Sequence, residues 1–417
     1  MYYKLLLAAL GFFVSSALSK SPHEKLLVVS YDGFRYDYLN LNITPYLNSL
    51  KKSSTYAKCL LNVFPTQTYV NHFSLATGLY SEAHGVIGNS VYDKEKKKVV
   101  GYSYDLFHYN KNVIPIWTLN ERAGKGRHSG VMMWAGGEYE YGGVNVTFSK
   151  SYDENMSWNE SAETALSWFV HPETPANLVM LYFDEPDNQS HNSGPATVSE
   201  RTREQIKKTD NITKYIMDYL KKNDLQDVNV VFLSDHGMEG ITLKQIIDLT
   251  KFVGNKTDMY GASPVLQIYP KPGESVRRIY KLLHSAAKKN KHFKVYLKRN
   301  IPKHFHIKNC RRTAPIIAVA DPPYGFQDYY KSIQWQIDNR GESPTGVYGI
   351  HGYDPRTISM HPYFIAHGPL FRKNYAAGVL RTVDMYPMFA HVLNLKLPRF
   401  RPNGSFSGVK DIFRHKY

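Results

Sequence analysis

Cysteine is nearly absent from this sequence. Cys59 and Cys310 are the only two cysteines among 417 residues. So few cysteines exclude a small disulfide-stabilised scaffold, and a large hydrophobic core must therefore stabilise the fold. The chain is long enough for such a core, either as one large domain with an insertion or as two domains. The sequence leaves open whether the two cysteines pair.

Acidic residues are also scarce relative to basic ones. The chain has 36 Asp and Glu against 52 Lys and Arg, a formal net charge of +16. Local basic runs lie at Lys94–Lys98, Lys288–Lys298 and Lys308–Arg312. A solvated surface is the default interpretation. Two functional interpretations are weak binding of polyanions through the basic surface and attraction of an anionic small substrate. We favour attraction of a small substrate over a specific nucleic-acid groove.

Long apolar runs are absent after the first residues of the chain. Leu5–Val14 is apolar, follows Lys4 and precedes the small residues Ala17 and Ser19. It is shorter than the roughly 20 residues that span a bilayer. We therefore predict that residues 1–19 are a secretory signal peptide, and we expect a secreted protein without a membrane span that acts as a monomer.

Asparagine sequons fit the secretory route. Seven are predicted to carry N-linked glycans, at Asn42, Asn145, Asn155, Asn159, Asn211, Asn255 and Asn403. An eighth, Asn188-Gln189-Ser190, lies inside a candidate metal motif. We predict that this one is unmodified.

Four short apolar runs have the composition of buried parallel strands. They are Leu26–Tyr31, Val131–Trp134, Leu178–Phe183 and Val228–Ser234. Three of these runs are followed directly by a carboxylate, and Ser199–Lys222 has helical spacing. The pattern predicts an α/β fold with a mostly parallel central sheet flanked by helices. Its ligand site would lie beyond the carboxyl ends of the strands.

The chain changes character after residue 243. Short strand and helix patterns predict a smaller α+β insertion, with elements at Val265–Tyr269, Glu274–Lys289, Phe293–Leu297 and Ile316–Ala320. The polar residues 321–346, which include proline and glycine, are predicted to form a long surface loop. We therefore assign residues 20–400 to the main domain, with the insertion and loop at 243–346, and residues 401–417 to a C-terminal tail.

The stretch Phe64–Asn89 contains two threonines just before a predicted helix. Pro65-Thr66-Gln67-Thr68 has turn or N-cap chemistry and precedes a predicted helix that starts near Asn71. A threonine hydroxyl there would face the space before a helix N-terminus, which attracts anions. Taken alone, the motif favours a simpler interpretation in which Thr66 or Thr68 caps the helix.

Carboxylates and histidines lie beside glycine or just after apolar runs. The candidates are Asp32, Asp187, His191, Asp235, His236 and His351. Each one singly is explained more simply as a turn, capping or hydrogen-bonded core residue. Together they form a mixed nitrogen and oxygen ligand set, which suits zinc or a similar transition ion better than calcium or magnesium.

Seven motifs carry a family resemblance between about Lys25 and Leu395. They are Tyr31-Asp32-Gly33-Phe34-Arg35, Pro65-Thr66-Gln67-Thr68, Asn71-His72-Phe73, Thr77-Gly78-Leu79-Tyr80 with His84-Gly85, Asp184-Glu185-Pro186-Asp187 with His191, Ser234-Asp235-His236-Gly237-Met238, and His351-Gly352-Tyr353. In this order they resemble the nucleotide pyrophosphatase/phosphodiesterase family of the alkaline phosphatase superfamily. The resemblance is to compact members made of the catalytic domain alone, and it implies an alkaline-phosphatase-like fold.

The resemblance also implies two zinc ions (Zn2+) and their ligands. One ion would be held by Asp187, His191 and His351, and the other by Asp32, Asp235, His236 and the hydroxyl of Thr68. It implies that Thr68 is the nucleophile and that Asn89 contacts a phosphate oxygen. Tyr69 and Tyr152 match aromatic residues that stack on a nucleobase. Val70 in place of the usual proline and the divergent segment after Tyr152 are departures that bear on substrate details.

The implied function is that of a secreted zinc-dependent nucleotide pyrophosphatase/phosphodiesterase. It would act on extracellular nucleotides, dinucleotides and phosphodiesters, and convert ATP to AMP and pyrophosphate through a covalent threonyl-nucleotide intermediate. One alternative is a choline-phosphodiester or lysophospholipid hydrolase of the same family, because Tyr69 and Tyr152 could cage a quaternary ammonium. Another is a non-catalytic secreted protein that binds nucleotides or glycosaminoglycans. A sulfatase is disfavoured, because Cys59-Leu60-Leu61-Asn62 lacks the pattern that generates formylglycine.

Overall fold

The computed structural model describes residues 20–340 and 346–414, so the predicted signal peptide lies outside the described residues. The strands of the described residues are β1 (Lys25–Tyr31), β2 (Thr55–Leu61), β3 (Val91–Asp93), β4 (Lys98–Val100), β5 (Ser129–Met132), β6 (Phe148–Lys150), β7 (Leu178–Phe183), β8 (Val228–Leu233), β9 (Glu239–Ile241), β10 (Ile246–Ile247), β11 (Thr257–Ala262), β12 (Val265–Pro270), β13 (Phe293–Leu297), β14 (Ile316–Ala320), β15 (Gly325–Phe326), β16 (Tyr348–Ile350), β17 (Phe364–His367) and β18 (Tyr375–Arg381). The α-helices are α1 (Pro45–Lys52), α2 (Thr68–Thr77), α3 (Ser81–His84), α4 (Tyr104–Phe107), α5 (Ile116–Arg122), α6 (Trp158–Ser167), α7 (Asp187–Ser193), α8 (Glu200–Lys222), α9 (Thr250–Val253), α10 (Val276–Asn290), α11 (Tyr329–Arg340) and α12 (Met385–Val392). In this part of the chain, we find no helix with the length and hydrophobicity needed to cross a bilayer.

Eight strands form the central sheet, in the order β18-β2-β17-β8-β1-β7-β5-β6. Strand β1 lies between β7 and β8 and is parallel to both. Strand β17 alone runs antiparallel to its two neighbours, β2 and β8. The predicted α/β class with a mostly parallel sheet is therefore confirmed.

Both faces of the central sheet are buried, which is why its strands read as continuous apolar runs. Successive side chains of a strand point to opposite faces. On β1, Leu26 and Val28 pack into one core with α2, α5 and α12. Leu27 and Val29 pack into the other core with α1, α6 and α8. The helices thus cover the sheet as two outer layers.

Strand β5 ends earlier than the sequence predicts. The predicted strand ran from Val131 to Trp134, whereas β5 spans Ser129–Met132. Met133 adopts a left-handed backbone with φ 59°. A residue in that conformation cannot continue an extended strand, and it turns the chain toward the site.

The insertion contains a separate four-stranded antiparallel sheet, β11-β12-β14-β13. It has its own hydrophobic core, against which α10 packs. The prediction of an uninterrupted loop at 321–346 is wrong, because this segment contains β15 and α11. Tyr329 and Ile333, one helical turn apart, are buried in the insertion core. The neighbouring residues in the sequence are mostly polar, so the helical spacing of the apolar residues is not evident from the sequence. The proline and glycine residues lie near the ends of the helix and not within it.

The two cysteines do not pair. Cys59 lies on β2 and Cys310 lies within the insertion, between β13 and β14, and both are buried free thiols. Cys59 Sγ lies 3.4 Å from His361 Nδ1. The fold is therefore stabilised by its three hydrophobic cores without a disulfide bond.

Candidate active site

The site is built at the carboxyl edge of the central sheet. Strands β7, β1 and β8 are adjacent and parallel, so the residues that follow them meet at one edge. Asp32 follows β1, Asp187 begins α7 after β7, and Asp235 follows β8. The backbone N–H of Asp187 also donates to the carbonyl of Asp32 at 3.1 Å. Three carboxylates from distant parts of the sequence are thereby brought together.

Gly33 allows this close approach. Its φ is +68°, a left-handed conformation that favours glycine. A Cβ at this position would lie 2.9 Å from Asp187 Cβ. Any larger residue would therefore push Asp187 away from Asp32.

Asp187, His191 and His351 form one group of ligands. His191 Nε2 lies 3.3 Å from Asp187 Oδ2. His351 Nε2 lies 3.2 Å from His191 Nε2 and 3.6 Å from Asp187 Oδ1. The α-helical spacing of four residues places His191 on the same face of α7 as Asp187.

Asp32, Asp235, His236 and Thr68 form the second group. His236 Nε2 lies 3.3 Å from Asp32 Oδ1 and 3.2 Å from Asp235 Oδ2. It also lies 3.3 Å from Thr68 Oγ1. The rings of His236 and His351 stack with centroids 3.7 Å apart, so the two groups adjoin.

Backbone carbonyls orient all three histidine rings. The Nδ1 atoms of His191, His236 and His351 lie 2.8 Å, 2.9 Å and 2.9 Å from the carbonyls of Gly349, Gly237 and Thr66. Carbonyl oxygens only accept hydrogen bonds, so each Nδ1 carries the hydrogen. The Nε2 atoms then face the carboxylates and are the ring nitrogens left to bind a metal, which is the arrangement of metal-ligating histidines.

The carboxylates contain the clearest sign of a bound cation. Asp32 Oδ1, Asp187 Oδ1 and Asp235 Oδ2 are buried and have no hydrogen-bond partner within the described residues. Their companion oxygens on Asp32 and Asp235 are held by Tyr182 and by the N–H of Gly33. Buried anionic oxygens without donors are strongly unfavourable unless a cation neutralises them. The residues present therefore fit a metal centre.

Electrostatics support the same conclusion. Burial, together with the negative charges of Asp235 and Asp187, raises the pKa of Asp32 well above its usual value. Burial and the neighbouring His236 lower the pKa of His351 to about 3, which keeps its ring neutral. Neutral imidazole and carboxylate ligands are the set that zinc prefers.

Thr68 is the first residue of α2, which begins three residues earlier than predicted. The N-cap is Gln67, which makes no side-chain capping bond. Thr66 Oγ1 donates to the carbonyl of Tyr353 and accepts from the N–H of Gly352. Neither threonine caps the helix, so the simpler interpretation of this motif is wrong. Thr68 instead directs its hydroxyl to His236.

A cavity of about 360 Å³ lies in front of Thr68. Asn89, Tyr69 and Tyr152 line it, so these three predicted substrate-binding residues lie beside the ligand groups. Asn89 Oδ1 accepts from the N–H of Tyr69 at 3.0 Å, which orients the amide and leaves its nitrogen as a donor. Tyr152 is 51% exposed, and its hydroxyl donates to Asp184 Oδ2 at 2.9 Å. The structure thus gathers all the predicted site residues.

Two site residues escaped the sequence analysis. His72 Nδ1 lies 2.9 Å from the Thr68 carbonyl and 3.4 Å from Asp235 Oδ2, while its Nε2 bonds Ser30 Oγ. Its signal was the helical spacing of four residues from Thr68. Tyr182 donates to Asp32 Oδ2 at 2.7 Å. The sequence feature that could have identified Tyr182 is a hydroxyl-bearing residue within the apolar run of β7.

Comparison with known proteins identifies the family. The model of the family described as type I phosphodiesterase / nucleotide pyrophosphatase matches residues 26–354. Human ectonucleotide pyrophosphatase/phosphodiesterase family member 5 is 35% identical over 418 residues, covering 98% of this chain and 81% of that protein. Bis(5'-adenosyl)-triphosphatase enpp4 of Mus musculus is 35% identical over 404 residues, covering 96% of this chain and 83% of that protein.

Solved structures agree with the sequence relatives. The murine ectonucleotide pyrophosphatase/phosphodiesterase 5, as an inactive threonine-to-alanine variant in complex with AMP, matches with a TM-score of 0.83 and 33% identity. The match covers 94% of this chain and 100% of the murine chain. The human protein of the same name matches with the same TM-score of 0.83. On its fold, its ligand groups and these relatives, the chain belongs to the type I phosphodiesterase / nucleotide pyrophosphatase family of hydrolases.

Proposed function

We propose that this protein hydrolyses the phosphodiester and pyrophosphate bonds of nucleotides, with Thr68 as nucleophile and two zinc ions as cofactors. The observation that carries the proposal is the convergence of buried, unpartnered carboxylate oxygens in the described residues next to the Thr68 hydroxyl. A protein that only bound nucleotides would not need a hydroxyl in that place.

The ligand groups define where zinc would bind. Asp187, His191 and His351 would hold one ion, and Asp32, Asp235, His236 and the Thr68 hydroxyl the other. Bound zinc lowers the pKa of a coordinated hydroxyl and supplies positive charge that stabilises developing negative charge on the leaving oxygen.

The side chains of this protein perform the remaining steps. Thr68 Oγ1 attacks phosphorus in line, so that an Oγ1–phosphorus bond forms as the bond to the leaving oxygen breaks. The Asn89 amide nitrogen and the positive end of α2 stabilise the non-bridging oxygens. Tyr69 and Tyr152 stack on the base and hold the nucleotide in place. Water then cleaves the bond between Thr68 and phosphorus and releases the mononucleotide.

Nucleotides with a pyrophosphate linkage are the proposed substrates. ATP would give AMP and pyrophosphate, and dinucleotides would be split into mononucleotides. Bis(5'-adenosyl) triphosphate is a further candidate, because one relative is named as its hydrolase. The AMP complex of another relative supports an adenine-accepting cavity.

Thr68→Ala tests the role of the nucleophile. We expect turnover of the p-nitrophenyl ester of thymidine monophosphate to fall by at least about 10³-fold, because the attacking oxygen is lost. Zinc content, measured by plasma mass spectrometry, should persist through the remaining ligands. Thr68→Ser is the matched control, since it keeps a hydroxyl and should retain measurable turnover. Turnover of Thr68→Ala at the wild-type rate would remove Thr68 from the mechanism.

A choline phosphodiester is the second candidate substrate. The cavity is lined by Tyr69, Tyr102, Tyr152 and Tyr182 next to the Asp184 carboxylate, and these groups could surround a quaternary ammonium. Comparing p-nitrophenyl phosphorylcholine with the thymidine ester separates the two substrates. Preference for the choline ester would reject the nucleotide assignment while leaving the roles of zinc and Thr68 unchanged.

Secretion and glycosylation belong to the same proposal. All seven asparagines of the predicted glycosylation sites are exposed. Asn188, in the eighth sequon, is only partly exposed and lines the cavity. This exposure supports glycans at the seven sites and an unmodified Asn188.

A further inference from the structure

A basic groove lies on the insertion, apart from the active site. It has a volume of about 1130 Å³ and runs between α9 and α10. Five cationic side chains line it, at Lys251, Arg277, Arg278, Lys281 and Lys289. All five are exposed. The other described lining residues are polar or apolar, and none carries a carboxylate.

The charges of this groove are not neutralised by the protein. Within the described residues, none of its five cations lies within ion-pair distance of a carboxylate. The basic run near residue 96 is different, because Lys96 and Lys98 both contact Asp105. In the run near residue 310, Arg312 is buried against Asp93 at 3.1 Å. The groove therefore gathers five cations that no carboxylate of the described residues neutralises.

The groove has an elongated geometry. Arg277, Lys281, Ser285 and Lys289 follow one another at intervals of four residues on α10, so they form a row that winds slowly around the helix while all four line the groove. At about 1.5 Å per residue, this row extends roughly 18 Å. Ser285 contributes a hydroxyl between the charges. Such a row suits an extended, densely charged anion better than a compact one.

We propose that this groove binds a linear sulfated polysaccharide. The planar guanidinium of arginine donates paired hydrogen bonds to two oxygens of one oxyanion, and lysine contributes a point charge, so the row can engage successive sulfate groups. Single-stranded nucleic acid fits less well, because it needs several aromatic platforms and Phe252 is the one aromatic among the described lining residues. A bilayer also fits less well, because the cations line a concave surface and a membrane-bound helix presents a protruding apolar face.

The test removes three groove cations together as Arg277→Gln, Lys281→Gln and Lys289→Gln. The matched control is Lys207→Gln, Lys214→Gln and Lys221→Gln, which removes the same formal charge from the solvent-facing side of one helix, α8. Binding to immobilised heparin is measured by surface plasmon resonance. We expect the dissociation constant of the groove variant to rise by about tenfold or more, because each cation near an anionic surface contributes to binding. The control should change by less than about twofold, and desulfated heparin should not bind the wild type.

Three outcomes would overturn the proposal. Equal loss in both variants would mean that net charge alone drives binding. Binding to oligothymidylate or to phosphatidylserine vesicles that is tighter than to heparin, and is lost in the groove variant, would assign another partner. Unchanged heparin affinity of a groove variant that hydrolyses the thymidine ester normally, and is therefore folded, would exclude the groove. The active-site proposal is independent of all three, since both variants should keep full turnover.

Discussion

Tyr182→Phe should weaken zinc binding without removing any ligand. The Tyr182 hydroxyl donates to Asp32 Oδ2 at 2.7 Å, while the unpartnered Asp32 Oδ1 belongs to the proposed metal site. The hydrogen bond holds one oxygen of the carboxylate so that the other points to the cation. Tyr182 is thus a positioning residue that acts through Asp32. Its removal leaves a buried carboxylate oxygen without a donor.

The expected magnitude follows from the kind of bond that is lost. A hydrogen bond to a charged acceptor contributes about 1.5–3 kcal/mol. At about 1.4 kcal/mol per tenfold change, this corresponds to roughly 10- to 100-fold weaker binding, the range typical of residues that orient metal ligands. In excess zinc the site refills, so kcat should recover in large part while the apparent zinc affinity does not.

The assay is a titration of zinc against a competing chelator, followed by hydrolysis of the thymidine ester at each free zinc concentration. Tyr31→Phe is the matched control, because it also removes a 2.7 Å tyrosine hydrogen bond, in this case to Thr213 Oγ1. It should lower stability but leave zinc affinity within about twofold of the wild type.

Two results would contradict this reasoning. Wild-type zinc affinity in Tyr182→Phe would mean that the hydrogen bond does not orient Asp32. An equal loss in Tyr31→Phe would mean that general destabilisation weakens the site. In either case the role assigned to Tyr182 would have to be withdrawn.

Two further predictions concern buried ionisable groups outside the proposed metal site. Burial, aided by the charge of Arg312, lowers the pKa of His84 from 6.5 to about 3. The unfolded chain takes up the proton at a higher pH than the folded one, so the free energy of unfolding should fall as the pH drops below 6.5, by about 1.4 kcal/mol per pH unit. Urea titrations at pH 6.5 and 5 measure this fall, and His84→Gln should not show the contribution of His84 to it. Arg312→Met should lower the free energy of unfolding by about 3–5 kcal/mol, because the buried Asp93 carboxylate and three carbonyls lose their donor. A loss below about 1 kcal/mol in the same urea assay would show that solvent replaces the guanidinium.

Much of the central sheet could be predicted because its signal is local. Strands β1, β7 and β8 are buried on both faces, so each one is an apolar run that needs no partner to be recognised. Helix α11 was missed for the opposite reason. Its identity depends on Tyr329 and Ile333 contacting the insertion core, and its remaining side chains carry no clear period.

The residues of the candidate site could be predicted from the sequence, but the way they are arranged could not. Family motifs implied the ligands, yet no motif indicates that Asp32 Oδ1 lacks a donor or that His236 lies 3.3 Å from Thr68 Oγ1. His72 and Tyr182 were missed because their roles arise from hydrogen bonds to residues on other strands and helices.

By itself, the sequence determined the α/β class, the reliance on a hydrophobic core and the residue types that can hold zinc, because these follow from composition and short-range periodicity. Only the tertiary structure decided which oxygen of each carboxylate faces the proposed metal site, which nitrogen of each histidine faces it and which basic side chains are paired with carboxylates. Those properties depend on distances between residues far apart in the chain, and folding sets these distances by packing β1 between β7 and β8.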